Sequence, residues 1–504
     1  MEALCHSKTN TYTRRRPELT PCYRIIQEEL SSFIAERQAE GRPLPEYVIE
    51  EFEAYLKCGV LAHGFIRLKC ESCQQEKIVA FSCKKRGFCP SCCVKRMAEA
   101  ATHLEENVLP KVAYRQFVVT FPIPLRFWLQ TNSKLYASIH RLMIRQIHRY
   151  YTDKAKACGI KDPKPGSISF TQRAGSACNL NVHAHVLCMD GVYTEGDGQV
   201  RFRNIEAITD QEVANLLEKT AHSVMRFLRK KGYLDQDGEV VQNPEADPLF
   251  RDHESLSLAS QASISGRIAF GPNAGKMVTR IGSGFGYLEE IPLAKGHRCY
   301  SIHGFSLHCN TSVNALRRDK LHKLIEYMAR GPLSNERLEI TDDKKVKLRL
   351  KTAYSDGTTH LLFTLSEFLE KLVAIIPPPK SHLVRWGGVL APNSPLRKKI
   401  TLKPEKKKGF QFQDEDEAPT FKNSSWSKML AKVFKIDVTT CECCGGKMQK
   451  ICAVLDGEGI RRYLRHLNMD PDPPPRTPAR VQATEFDFDQ SSEEQEDLPV
   501  IQEG

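Results

Sequence analysis

The chain has 504 residues, with 73 Lys and Arg against 61 Asp and Glu, a formal net charge of +12. That length allows several cores, about three domains as a prior, and no window approaches the ~20 apolar residues that a membrane span requires. The opening "MEALCHSKTNTYTRRRPELT" has no apolar run behind its arginines, so no secretory signal is read and a cytosolic location is expected.

The residues after Ala483 are acidic, which leaves the rest of the chain more basic than the total suggests. Such a surplus often marks a polyanion partner such as nucleic acid, although ordinary soluble proteins also show it.

Helical patterning begins around "CYRIIQEELSSFIAERQ", after which the text becomes cysteine-rich. The chain holds 18 cysteines, and without a secretory signal these point to metal sites or buried thiols rather than disulfides. "CESC" and "CPSC" place Cys70 with Cys73 and Cys89 with Cys92 in two C-x2-C knuckles, 15 residues apart. Two knuckles at this interval predict one tetrahedral, ribbon-type zinc, with Zn–S distances of about 2.3 Å. Cys58, His63, Cys83 and Cys93 are spare ligands, so an altered set or a second metal stays open.

"KVAYRQFVVTFPIPLRFWL" reads as strand, with Pro122 and Pro124 ending the run. "SKLYASIHRLMIRQIHRYY" is an amphipathic helix. Strands follow at "SISFTQRA" and "LNVHAHVLCM", then a helix at "DQEVANLLEKTAHSVMRFLRKKGYL". Residues 236–298 are Gly-, Ser- and Asp-rich and predict loops or an insertion. "RCYSIHGFSLHCNTSV" alternates again, and a helix runs from about Ala315 to Arg330.

Short strands ("KKVKLRLKTAYS", "TTHLLFTL"), a helix ("LSEFLEKLVAII") and the breaker Pro377–Pro379 come next. The linker "LRKKITLKPEKKKGF" is basic, and a helix, "SWSKMLAKVFKIDV", precedes the C-terminal cysteines. Strands mixed with helices, without strict βαβ alternation, predict an α+β fold with an antiparallel sheet.

His183 and His185 lie two residues apart on a predicted strand, so they share a face, while Val182, Ala184 and Val186 point into the opposite layer. Two adjacent imidazoles can hold one divalent ion; a ligand-free pair of strand histidines has the same pattern. In "RRDKLHKLIEYMARGPLSNERL", Leu321, Leu324, Ile325 and Met328 form one helix stripe. Tyr327 falls off that stripe, between Lys323 and Arg330, and Gly331 and Pro332 end the helix. A phenol between two cations suits a phosphate; a plain surface tyrosine is the alternative.

The segments "ISFTQRAGSACNLNVHAHVLCMDGVY", "HGFSLHCNTSVNALRRDKLHKLIEYMARGPLSNERL" and "CESC…FSCKKRGFCPSC" resemble the HUH-type rolling-circle transposases of bacterial insertion sequences, over a stretch from about Cys58 to "ECCGGKM". The resemblance implies a central antiparallel HUH endonuclease sheet flanked by helices, with a small N-terminal ribbon-like domain holding structural Zn²⁺. It implies that His183 and His185 hold a catalytic Mg²⁺ or Mn²⁺. Tyr327 would attack single-stranded DNA at the element's ends to leave a 5′-phosphotyrosine. Gln172 is the chosen third ligand, with Glu326 and His322 as rivals, and Arg330 and Lys323 are the expected DNA contacts. Some relatives carry a second tyrosine four residues on; here that position is Gly331, which matches the single-tyrosine subtype.

The expected division is 1–105 helical and zinc-binding, 106–355 catalytic, 356–423 accessory segment and basic linker, 424–470 a C-terminal cysteine unit, and 471–504 a disordered acidic tail. In the cysteine unit, Cys441 and Cys444 read either as a half-site completed by Cys452 or His466, or as an inert pair. The expected partners are transposon-end and target DNA without a membrane, on the nucleoid of a bacterial cytoplasm, with self-association left open. A rolling-circle replication initiator or relaxase would use the same chemistry, though no G-x4-G-K-[ST] helicase loop is present. A non-catalytic zinc-dependent DNA-binding protein is the rival of another class.

Overall fold

The computed structural model describes residues 15–238, 241, 251–282, 296–402 and 440–480. The expected helix "SWSKMLAKVFKIDV", most of the lysine-rich linker and the acidic end of the tail lie outside the described residues.

Helices start where a side chain can satisfy free backbone N–H groups. Thr20 caps Pro21–Ala39 and Asn132 caps Ser133–Ala157. Thr209 with Glu212, and Thr364 with Glu367, form capping boxes at the heads of Asp210–Lys230 and Leu365–Ile375. Two regions depart from expectation. Pro122 and Pro124 end a strand as anticipated, but the residues after them form the helix Ile123–Thr131, because proline is well tolerated in a first helical turn. The Gly- and Ser-rich region also contains a helix, Glu254–Ile264, whose Ser255, Ser257, Ser260 and Ser263 are buried. Small hydroxyls that find partners, such as Ser255 donating to the Pro43 carbonyl at 2.9 Å, make that close packing tolerable.

In chain order the strands are β1 (Phe65–Cys70), β2 (Glu76–Ala80), β3 (Tyr114–Thr120), β4 (Gly166–Ala174), β5 (Leu180–Met189), β6 (Gly191–Gly196), β7 (Gln199–Asn204) and β8 (Thr279–Ile281). They continue as β9 (Cys299–Ile302), β10 (Phe305–His308), β11 (Ser312–Val313), β12 (Leu338–Ile340), β13 (Val346–Arg349), β14 (His360–Phe363), β15 (Val384–Gly388) and β16 (Met448–Val454). The principal sheet has seven strands in the order β15-β4-β5-β3-β10-β9, with β11 also on β3, and every pairing is antiparallel. The fold is therefore mixed helix and antiparallel sheet. At the β9–β10 turn His303 and Gly304 both have positive φ, 49° and 75°, as a tight two-residue hairpin requires.

Alternation along β5 sorts its side chains between two cores. Val182, Ala184 and Val186 are buried with Ile139, Met143, Leu217 and Val224, from the helices Ser133–Ala157 and Asp210–Lys230. Leu187 and Met189 lie on the other face, in a core with Leu321, Ile325 and Met328 of the helix Arg318–Ala329. His183 and His185 share that second face by period, so the helix bearing Tyr327 covers the histidine side of the sheet. Each fully buried aliphatic side chain at this seam contributes about 1.5–3 kcal/mol.

The C-terminal cysteines join the N-terminal module: β16 pairs with β1, and β1 with β2, in a three-stranded sheet. The expectation of disorder from residue 471 needs correction over its first ten residues. Arg476 pairs with Glu53 at 2.7 Å, Gln27 donates to the Pro475 carbonyl, and Arg480 pairs with Glu29. Proline limits the entropy lost when this extended stretch is held. Among the described residues no helix is long and apolar enough to cross a membrane.

Candidate functional site

β5 lies between β4 and β3, with His183 opposite both Gln172 and Thr120 in register. The rings of His183 and His185 are 5.1 Å apart. His183 Nδ1 is 2.7 Å from the Asn181 carbonyl oxygen, which can only accept, so Nδ1 carries the hydrogen and Nε2 keeps its lone pair. His185 is 2 % exposed, its Nδ1 is 2.6 Å from the Gln116 side-chain amide, and its Nε2 is buried without a hydrogen-bond partner. The amide atom facing Nδ1 is the Gln116 nitrogen, a donor; with the amide turned so that its oxygen accepts from Nδ1–H instead, both histidines offer an unprotonated Nε2, the form that ligates metal.

Burial pushes His183 down to about 4, with Arg126 and Arg330 acting in the same direction against the Asn181 hydrogen bond. It pushes His185 down to about 3, helped by His183 and Arg330. Both rings are therefore neutral at neutral pH. Two neutral imidazoles whose rings lie 5.1 Å apart, one with an orphaned buried nitrogen, fit a divalent cation.

Tyr327 is 44 % exposed, and its ring centroid lies 5.5 Å from that of His185, nearly perpendicular at 86°. The Arg330 guanidinium stands 4.4 Å over the tyrosine ring, a cation–π contact. Lys323 is exposed one turn earlier. The amide nitrogen of Gln172 donates to the Tyr327 and Met328 carbonyls at 3.2 and 2.9 Å. Gln172 thus grips the end of the tyrosine helix, and only its side-chain oxygen is left for an ion.

The rival ligands sit together on the same helix. His322 Nδ1 is 2.7 Å from Glu105 and its Nε2 is 3.5 Å from Glu326. The other end of the helix is held by Arg318, which donates to the carbonyls of Leu109 and Pro110 at 3.2 and 3.3 Å. Gln116 was not anticipated from the sequence. Its signal is a glutamine inside the strand "YRQFVVT", buried at 3 % exposure, where an unpaired amide would be costly.

A cavity of about 110 Å³ adjoins the end of the tyrosine helix, lined by Arg86, Arg96, Arg173, Arg330, Lys351 and Gln172 among others, with no carboxylate in its wall. Burial pushes Lys351 down to about 8, reinforced by Arg330 and Arg337. Burial likewise pushes Arg173 down to about 10. The Nε atoms of Arg173 and Arg330 are buried without hydrogen-bond partners. Crowded cations with no carboxylate in the wall itself make this a place for an anion.

The cysteines require a correction. Cys70, Cys73, Cys89 and Cys92 do not share one site; the two knuckles belong to separate clusters, Cys58–Cys83–Cys89–Cys92 and Cys70–Cys73–Cys441–Cys444, each with its sulfurs within 4.8 Å of one another. In the first cluster Cys92 Sγ lies 3.7 Å from Cys58 and 3.4 Å from Cys83. Hydrogen bonds from Cys83, Cys89 and Cys92 hold the Cys58 thiol far below its ordinary range. Cys89 stands at the N-cap of the helix Pro90–His103 without a side-chain capping bond, and its thiol is pushed up by its contacts with Cys58, Cys83 and Cys92. The sequence interval suits a ribbon, but β1 and β2 separate the knuckles in space and each finds its partners elsewhere.

The knuckle helix Pro90–His103 packs against the tyrosine helix. At their junction, a Cβ added to Gly331 would meet Cys93 Cβ at 2.4 Å and Sγ at 2.9 Å. No side chain fits there without moving one of the two segments.

Residues 166–398 match a family model described as "Putative transposase", and residues 25–121 match one described as "Transposase zinc-binding domain". No curated protein and no solved structure matched the chain. The zinc-binding match and the cysteine clusters support structural Zn²⁺. The transposase match implies an enzyme that cleaves DNA and transfers strands, with DNA as its partner. The two matches, in tandem along the chain, support a transposase of the IS91 type that carries a zinc-binding domain.

Proposed function

We propose that this transposase cuts and rejoins single-stranded DNA at the ends of its mobile element, with Tyr327 as the nucleophile and a rolling-circle, single-tyrosine HUH mechanism. The observation that carries this reading is the half-exposed Tyr327 ring 5.5 Å from the His185 ring, on the face where both histidines offer lone pairs.

In this reading His183 and His185, with the Gln172 oxygen as third candidate, hold a Mg²⁺ or Mn²⁺. The ion would polarise the scissile phosphate. The Tyr327 hydroxyl oxygen bonds to phosphorus, the phosphorus–O3′ bond breaks, and the products are a 5′-phosphotyrosine and a free 3′-OH. The phenol proton passes to water at the exposed ring edge, and the departing O3′ takes one up. Arg330 over the ring favours the oxyanion as it forms. The ester keeps the energy of the broken bond, so a later 3′-OH can displace Tyr327 and reseal the strand without ATP.

Gln172 positions the nucleophile through the end of its helix. Lys323, and the cavity of Arg86, Arg96, Arg173, Arg330 and Lys351, serve in this reading as contacts for flanking phosphates. The single-tyrosine form is supported by Gly331, where even one added carbon would collide with Cys93.

The test is an oligonucleotide carrying candidate hairpin and single-stranded ends, incubated with Mn²⁺ and run under denaturing conditions. A covalent protein–DNA adduct is expected, lost in Tyr327→Phe. An adduct that persists in the Phe variant would mean another nucleophile. Metal-independent behaviour unchanged in His183→Ala would favour the non-catalytic binding protein. Cleavage confined to replication or transfer origins would favour the initiator or relaxase.

A further inference from the structure

The second cysteine cluster lies half outside the matched zinc-binding segment 25–121, because Cys441 and Cys444 come from the far end of the chain. Its sulfurs approach in cross-pairs: Cys70 to Cys444 at 3.5 Å and Cys73 to Cys441 at 3.5 Å. Four thiolates around a zinc at about 2.3 Å leave sulfur–sulfur edges of roughly 3.8 Å, and this cluster has those dimensions.

The backbone is arranged as a pair of metal knuckles. Cys441 N–H donates to the Gly446 carbonyl at 2.7 Å, Gly445 N–H to the Cys441 carbonyl at 2.9 Å, and Gly446 N–H to Cys444 Sγ at 3.4 Å. Gly445 takes a positive φ of 73° to make the turn. A Cβ at Gly446 would meet Ser72 Oγ at 2.6 Å and Cys70 Sγ at 3.0 Å, so this glycine is what lets the knuckles approach. Glu71 N–H donates to the Lys447 carbonyl at 3.0 Å across the seam.

Without a cation the arrangement is poorly supported. The apolar cluster beneath it consists of Leu68, Cys70, Val79, Cys441 and Met448, with Ile66 alongside. A second apolar cluster around Phe65, Ile460 and Leu464 packs the other end of the same sheet, so at the cysteine end the four sulfurs rest on little else. Cys443 and Cys452 belong to neither four-sulfur group.

We infer that Cys70, Cys73, Cys441 and Cys444 form a second tetrathiolate zinc site, whose halves, in the case of Cys70 and Cys444, stand 374 positions apart. The metal fastens the C-terminal segment onto the N-terminal hairpin and adds β16 as its third strand. This inference stands apart from the DNA chemistry proposed above and is read without it.

The test counts zinc per full-length chain by elemental analysis. Two are expected in the unaltered protein and one in the double variant Cys441→Ser/Cys444→Ser. The conservative Cys444→His should keep two, since imidazole replaces a thiolate at zinc. Cobalt substitution should give the tetrathiolate visible bands twice over in the unaltered chain, and at half intensity in the serine variant. One zinc in the unaltered chain, two in the serine variant, or a Cys70–Cys444 disulfide in the freshly purified, unoxidised protein would each overturn the assignment.

Discussion

Cys58, Cys83, Cys89 and Cys92 are set in or against a large apolar cluster that also holds Phe52, Tyr55, Phe88 and Leu333, whereas Cys70 and Cys441 rest on only a few apolar neighbours. The first group ends in a helix that packs on the tyrosine helix and meets Gly331 through Cys93. The second ties two strand segments together at the far edge of the N-terminal module. The same four thiols can thus do unlike work. In the reading proposed above, one cluster sets the position of Tyr327, and the other decides which part of the chain the module includes.

The contrast is broken most directly by removing one ligand from each cluster. Cys89→Ser should reduce adduct formation by more than about a hundredfold, since a displacement of about 1 Å at a reacting group is enough for that. It should also lower the melting temperature sharply, because structural zinc contributes about 10–16 kcal/mol in small domains. Cys444→Ser should change adduct yield by less than about threefold, as distant sites act independently. Calorimetry and gel quantitation read both effects. Equal losses in the two variants would erase the distinction.

A subtler probe addresses the junction itself. Gly331→Ala places a methyl 2.4 Å from Cys93 Cβ. Overpacking of this kind costs about 1–3 kcal/mol. Because relief requires the knuckle and tyrosine helices to separate, the adduct rate should fall more than stability alone accounts for. Cys93→Ala paired with Gly331→Ala should recover part of it, measured as a double-mutant cycle on rate and on unfolding free energy. No coupling would mean that the first cluster does not position Tyr327.

The smallest expected effect concerns charge. The first cluster's module contributes Arg86 and Arg96 to the basic cavity, opposite Lys351. Lys351→Gln in a Tyr327→Phe background should weaken single-stranded DNA binding modestly. It should also reduce the slope of log affinity against log salt by about 0.7, one phosphate contact on a single strand. An unchanged slope would place the DNA path elsewhere.

Much of the candidate site's face was legible because strand and helix periods are local. "NVHAHV" fixes His183 and His185 on one face from spacing alone, and the stripe of Leu321, Ile325 and Met328 leaves Tyr327 at its edge. What escaped depends on partners distant along the chain. The C-x2-C knuckles announce pairs of thiolates, but whether Cys70 meets Cys89 or Cys444 is decided by the pairing of β1 with β16. Gln116 hides in an apolar strand because its role is to hold a histidine placed 69 positions later. The helix Glu254–Ile264 is masked by serines, two of whose hydroxyls are satisfied by other segments: Ser255 donates to the Pro43 carbonyl and Ser263 accepts from Leu180 N–H at 2.8 Å. Residues 471–480 read as loose tail, yet Arg476 and Arg480 find glutamates near the other end of the chain.

The pairing of β1 with β16 also imposes a schedule on the ribosome. Cys58 to Cys92 emerge within a short interval and can load metal while synthesis continues. The hairpin holding Cys70 must wait for Cys444, 374 positions later, which at about 5–20 residues per second is roughly 20–75 s. A prematurely terminated polypeptide would therefore leave the ribosome with β1 unpaired on one edge and the thiols of Cys70 and Cys73 without their partners.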